Sequence, residues 1–185
     1  MTLFSDPLQP LRQLRPGEAV VVTQLPLDLQ TLARLEQLCL AVPFKPSVGS
    51  GGDYFLLRAR GIIANLRPDT VEICDILKSP KLAELFESIF GERVYIAHAQ
   101  VNRLSRGESL LEHSHGDDAR FAVIHFQPSY YGGRYFDYDA SGFKRFPLIS
   151  PFCMVASSGN IPHGVEEVTS AAPRITLVLS LEKKK

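Results

Sequence analysis

Between residues 93 and 181 the apolar positions fall in short runs, each closed by residues that favour turns. Candidate strands cover 93–104, 108–115, 120–127, 133–138, 143–149, 152–157, 161–168 and 174–181. The breaks are Ser105 to Gly107, Gly116 to Asp118, Gly132 with Gly133, Ala140 to Gly142, and Ser158 to Asn160. Many short strands with this punctuation predict a sandwich or barrel rather than a parallel sheet. Before residue 93 the period changes. Val20, Val21 and Val22 form a short β-type run, and Tyr54 to Leu57 another. After Pro26 and Asp28, the positions Leu32, Leu35, Cys39 and Val42 recur at helical spacing. Asp69 to Leu77 is also helical in pattern. Ser79 and Pro80 open a further helix, whose stripe runs through Leu82, Leu85, Phe86, Ile89 and Phe90 until Gly91 stops it. The pattern predicts a mainly β chain with flanking helices, an α+β protein built on a jelly-roll core. We expect a single domain over 1–185, in which the segment 1–92 packs on a core formed by 93–181.

Composition narrows the class. A chain of 185 residues, 45% hydrophobic and 22% charged, suits a globular protein with a sizeable core. Its 20 basic and 20 acidic residues balance to a formal net charge of zero, which gives no electrostatic reason to expect nucleic acid or an anionic membrane. Cys39, Cys74 and Cys153 are odd in number and form no CxxC motif, so they read as buried thiols of a reducing compartment. No secretory pattern and no long apolar run occur, and the expected location is cytoplasmic. Oligomeric state leaves no mark in the sequence.

The chemistry concentrates in one region. Four of the five histidines are His113, His115, His125 and His163, and Asp117 and Asp118 follow the first pair. Two histidines and a carboxylate on one face suit non-haem Fe(II), because the remaining coordination positions can take oxygen and a cosubstrate. Residues two apart on a strand share a side, so His113, His115 and Asp117 can face one interior, with His163 arriving from a later strand. Arg174 leads the apolar run 175–181, where an unpaired cation is costly.

Several segments carry a resemblance: Val101 to Gly107, a strand and glycine turn; His115-Gly-Asp117, an HxD; Phe121 to Phe126, a core strand; Tyr131 to Phe136, a GGxLxF-like element; Ile161 to Val168, an HgVxxV-like strand; and Pro173 to Thr176, an RxS/T motif. In this order and spacing they resemble the iron(II)/2-oxoglutarate dioxygenase superfamily, especially its prolyl-hydroxylase-like members. The resemblance covers roughly residues 95–181. It implies a double-stranded β-helix, Fe(II), 2-oxoglutarate as cosubstrate and O2. It also implies hydroxylation of a small molecule or peptide side chain, with release of succinate and CO2. By the same resemblance, Arg174 and Thr176 hold the outer carboxylate of the cosubstrate, as Arg offers a planar fork for bidentate contact. Asn102 contacts the cosubstrate, as an equivalent asparagine does in the alkylated-DNA repair branch. His125 falls where some relatives carry a tyrosine near the cosubstrate.

The metal register has three readings. In relatives the first metal histidine lies six residues past the turn glycine, which from Gly107 is His113 and places His115 where the aspartate belongs. The ligands are then His115, Asp117 and His163; or His113, His115 and His163, as in some cupins; or His113 and His163 with Asp117 reaching in. The first keeps the HxD and is the set expected here. Leu104 stands near the place of a tyrosine that relatives often carry. Two rival classes remain. One is a cupin-type metal dioxygenase or isomerase without 2-oxoglutarate, in which Arg174 has no task. The other is a jelly-roll binding module without catalysis. Substrate contacts are expected from loops such as Gly49 to Tyr54, and from the tyrosines of 130–135.

Overall fold

A computed structural model describes residues 13–22, 24–46, 52–59, 62–63, 68–126, 132–139, 142–146 and 152–184. Most of the Gly49 to Gly52 stretch, as well as Tyr130 and Tyr131, lies outside them.

Among these residues the chain runs β1 (Glu18–Val22), α1 (Leu29–Ala41), β2 (Lys45–Pro46), β3 (Asp53–Ala59), β4 (Ile62–Ile63), α2 (Pro68–Leu77), α3 (Pro80–Phe90), β5 (Val94–Leu104), β6 (Leu110–His113), β7 (Arg120–His125), β8 (Tyr135–Asp139), β9 (Gly142–Phe146), β10 (Cys153–Ser158), β11 (His163–Val165) and β12 (Arg174–Lys183). Local chemistry sets the helix ends. The Asp28 carboxylate accepts from the backbone N–H and the hydroxyl of Thr31, both at 2.8 Å, and so satisfies free donors at the start of α1. Pro80 begins α3. Gly91 ends it at φ 70°, a left-handed conformation suited to glycine, with its N–H donating to the Glu87 carbonyl.

The strands form two antiparallel sheets. The larger has the order β1-β10-β7-β12-β5-β3-β2, with β4 attached to β3; the smaller has the order β6-β11-β8-β9. The N-terminal half therefore does more than pack against the core, because β1, β3, β2 and β4 extend the same sheet. Alternation assigns the two faces of the large sheet. Ala99, Val101, Ala122, Ile124, Met154, Ala156, Ile175, Leu177 and Leu179 point to the helices and share one core with Leu35, Leu82, Phe86 and Ile89. Phe121, Val123, Cys153, Val155 and Leu104 point the other way and pack with Tyr135 and Val165 of the small sheet. The result is three layers: helices, large sheet, small sheet. All three cysteines are buried. No described helix is long and apolar enough to cross a membrane.

Candidate metal centre and its cavity

A cavity of about 510 Å3 opens between the two sheets. That volume lies within the roughly 300–1,000 Å3 typical of small-molecule sites. His113, His115 and His163 line it on one side, and Asn102, Arg174 and Thr176 also line it.

Strand pairing brings the histidines together. His113 ends β6, His163 begins β11, and the two are directly paired in the ladder. Their ring centroids are 4.3 Å apart. His115 lies two residues beyond the end of β6 and closes the group at 5.4 Å from the His113 ring and 5.2 Å from the His163 ring. One ligand atom from each lies within 4.8 Å of the others. Two of the rings are fixed by backbone. His113 Nδ1 is 3.0 Å from the Leu111 carbonyl oxygen, and His163 Nδ1 is 2.8 Å from that of Ile161. A carbonyl only accepts, so each Nδ1 donates, and in a neutral ring so held Nε2 is the nitrogen that keeps its lone pair. Such a contact orients a histidine for metal binding. His163 is only 4% exposed. Burial lowers its pKa to about 4, and the neighbouring His113 and His115 add to this. Burial, then His113, also lowers that of His115. These two rings are therefore neutral at pH 7, the form that can coordinate a cation.

Asp117 does not join this group. The chain turns at 116–119, where the Ala119 N–H donates to the Gly116 carbonyl at 2.8 Å, and Asp117 is exposed on that turn. The expected set of His115, Asp117 and His163 relied on alternation continuing to residue 117, but β6 ends at His113. The side chains whose possible ligand atoms lie together are those of His113, His115 and His163.

Across the cavity, the floor of the large sheet carries one polar row. Tyr54 pairs with Asn102, Asn102 with Thr176, and Thr176 with His125, so their side chains share the inner face. Arg174 stands two residues from Thr176 and is 7% exposed. Its Nη2 donates to His125 Nδ1 at 3.1 Å. Burial lowers the Arg174 pKa to about 10, so the group is still a full cation at pH 7. Among the described residues its Nε is buried without a hydrogen-bond partner, as is Nε2 of His125. Burial and the Arg174 charge hold His125 well below the usual histidine range. A neutral His125 that accepts at Nδ1 and a cation with a spare donor make a site for an anion.

Aromatic rings wall the space between the two groups. Phe121 stacks on His163 at 4.6 Å, while Tyr135 lies 5.7 Å from His163 and 6.1 Å from His125. The sequence pattern gave Phe121 no role beyond the core, although its spacing from His125 through Val123 places it on the cavity face. Gln100 likewise escaped notice and lines the cavity.

No protein-family model matches the sequence, and no curated protein matches it. Solved structures do match the fold. A 2OG-Fe(II) oxygenase family oxidoreductase from Burkholderia pseudomallei aligns over 90% of this chain and 84% of its own, with a TM-score of 0.77 and 21% identity. A Pseudomonas putida prolyl-4-hydroxylase aligns over 90% of this chain and 92% of its own, at 0.65 and 14%. HygX from Streptomyces hygroscopicus, solved with nickel and 2-oxoglutarate bound, aligns over 91% and 84%, at 0.69 and 6%. The chain thus has the jelly-roll fold of the 2-oxoglutarate- and Fe(II)-dependent oxygenases, prolyl hydroxylases among them.

Proposed function

We propose that this protein is an Fe(II)- and 2-oxoglutarate-dependent oxygenase whose metal is held by His113, His115 and His163. The observation that carries the reading is the shared cavity: a cluster of imidazoles lines one side, and a buried cation with an unused donor lines the other. Imidazole donors suit Fe(II), so the residues fit that metal, although they would also accept Zn, Ni or Cu. Arg174 and Thr176 fit the outer carboxylate of 2-oxoglutarate, with His125 holding the guanidinium in place.

When bound, the metal and cosubstrate supply the oxidation: O2 and 2-oxoglutarate give succinate and CO2, with one oxygen atom in succinate and the other inserted into a C–H bond of the substrate. The chain's own contribution is arrangement. The Leu111 and Ile161 carbonyls fix the rings of His113 and His163. Phe121 and Tyr135 exclude water beside His163, which strengthens every charge interaction there. Cavity size supports a small molecule or a single peptide side chain as substrate.

A second reading has one observation in its favour. A three-histidine set without a carboxylate also suits a cupin-type metal dioxygenase or isomerase that needs no 2-oxoglutarate. Anaerobic titration with Fe(II), with and without 2-oxoglutarate, separates the two through the weak visible charge-transfer band of an iron–keto-acid chelate. We expect the band to form, to disappear in His113→Ala, and to persist in Asp117→Ala. Loss in Asp117→Ala would restore the HxD register. Iron binding with no response to 2-oxoglutarate would favour the cupin reading, and no metal binding would leave a non-catalytic binding module.

A further inference from the structure

Strand β5 carries a second polar line, which meets the row described above at Asn102. His98, Gln100 and Asn102 are spaced by two and therefore project from one side of the strand. His98 Nε2 lies 3.0 Å from Gln100 Oε1, and Gln100 Nε2 donates to Asn102 Oδ1 at 2.9 Å. All three are partly buried. Gln100 and Asn102 line the cavity, and His98 is not among its lining residues.

The line has a direction. An amide oxygen only accepts, so His98 Nε2 donates to Gln100, and Gln100 donates to Asn102. The Asn102 oxygen is thereby turned towards Gln100, and its amino group is what remains for the cavity. The reverse direction would require His98 Nε2 to accept, which a protonated ring and one of the two neutral tautomers cannot do. Ladder pairing sets Asn102 opposite Thr176, and Thr176 opposite His125 at the anion end. The Asn102 amino group and the Thr176 hydroxyl are thus neighbours on the cavity floor.

We propose that His98 and Gln100 are positioning residues which hold Asn102 as a donor, so that its amino group binds an oxygen of the 2-oxo acid. This rests on the oxygenase reading above. Without the line, the Asn102 side chain could rotate and turn its oxygen towards an anion. His98, at the end away from the cavity, therefore sets the polarity of a contact that it does not itself make.

The test is calorimetric titration of 2-oxoglutarate into the Ni(II)-loaded protein, since Ni(II) removes turnover. Asn102→Ala should weaken binding by about tenfold, the loss of one hydrogen bond to a charged group. His98→Phe and Gln100→Met should each weaken it by roughly threefold, because a disoriented donor loses part of that bond. The double variant His98→Phe with Asn102→Ala should bind no more weakly than Asn102→Ala alone, since both changes remove one contact. Ni(II) affinity and melting temperature should stay unchanged, which a general structural role would not allow. Unchanged binding in His98→Phe, or full additivity with Asn102→Ala, overturns the proposal while leaving the oxygenase reading intact. Failure of the unaltered Ni(II) protein to bind 2-oxoglutarate overturns both.

Discussion

Arg174 is a cation placed where water scarcely reaches it, with a neutral histidine as its hydrogen-bond acceptor. Burying such a group is costly unless a counter-charge arrives. Lysine keeps the charge but loses the fork, because an ammonium cannot offer two parallel donors. Arg174→Lys should therefore weaken 2-oxoglutarate binding by roughly 10–100-fold, the worth of a charge-assisted contact, while leaving metal affinity unchanged. Titration of the metal-loaded variant measures both. Arg174 was legible in the sequence because one cation at the head of a long apolar run has no cheap explanation. Asp117 was harder to place from the sequence. Alternation holds only inside a strand; the break at Gly116 to Asp118 was readable, but the end of β6 at His113 was not. His125 was visible as a histidine, but its partner was not, since the Arg174 contact joins residues 49 positions apart.

The short strands β6 and β11 carry two of the three histidines, so their pairing is what sets the candidate metal centre. Gly164 lies between His163 and Val165 on β11. A Cβ there would sit 2.6 Å from the Phe136 ring and 2.7 Å from the Leu110 carbonyl oxygen. The ring can swing aside, but the carbonyl belongs to β6 and can move only with it. Gly164→Ala should destabilise the fold by about 1–3 kcal/mol, the usual cost of overpacking, and should weaken metal binding by spreading His113 from His163. Thermal melting and a metal titration check the two effects. Element positions were largely readable. The helices α1, α2 and α3 and the strands β5, β7, β10 and β12 lie within a few residues of where periodicity put them. Partnerships were not readable. Nothing in Val20 to Val22 says that β1 pairs with β10, or in Tyr54 to Leu57 that β3 pairs with β5, because such ladders depend on distant residues.

At the scale of the whole molecule, folding removes a basic group from water at His125. Its pKa is held low by burial and by the Arg174 charge. The unfolded chain takes up a proton there below about pH 6.5, the ordinary histidine value, while the folded chain does not. Stability is thus complete above that pH and is lost as pH falls below it, by up to about 1.4 kcal/mol per pH unit for each histidine held neutral. Denaturant midpoints recorded between pH 7 and pH 5 should drop. His125→Gln should flatten that slope, and an unchanged slope would place His125 outside the acid response. The layers have a second consequence. His113 and His163 lie 50 positions apart in the chain (163 − 113) and sit side by side in the small sheet. A cation gripping both would act as a removable cross-link. It would close a loop whose covalent equivalent, a disulfide of that span, restricts the unfolded chain by about 4 kcal/mol. In that sense the proposed metal centre would also be a clasp, and the supply of metal would govern how firmly the small sheet stays shut.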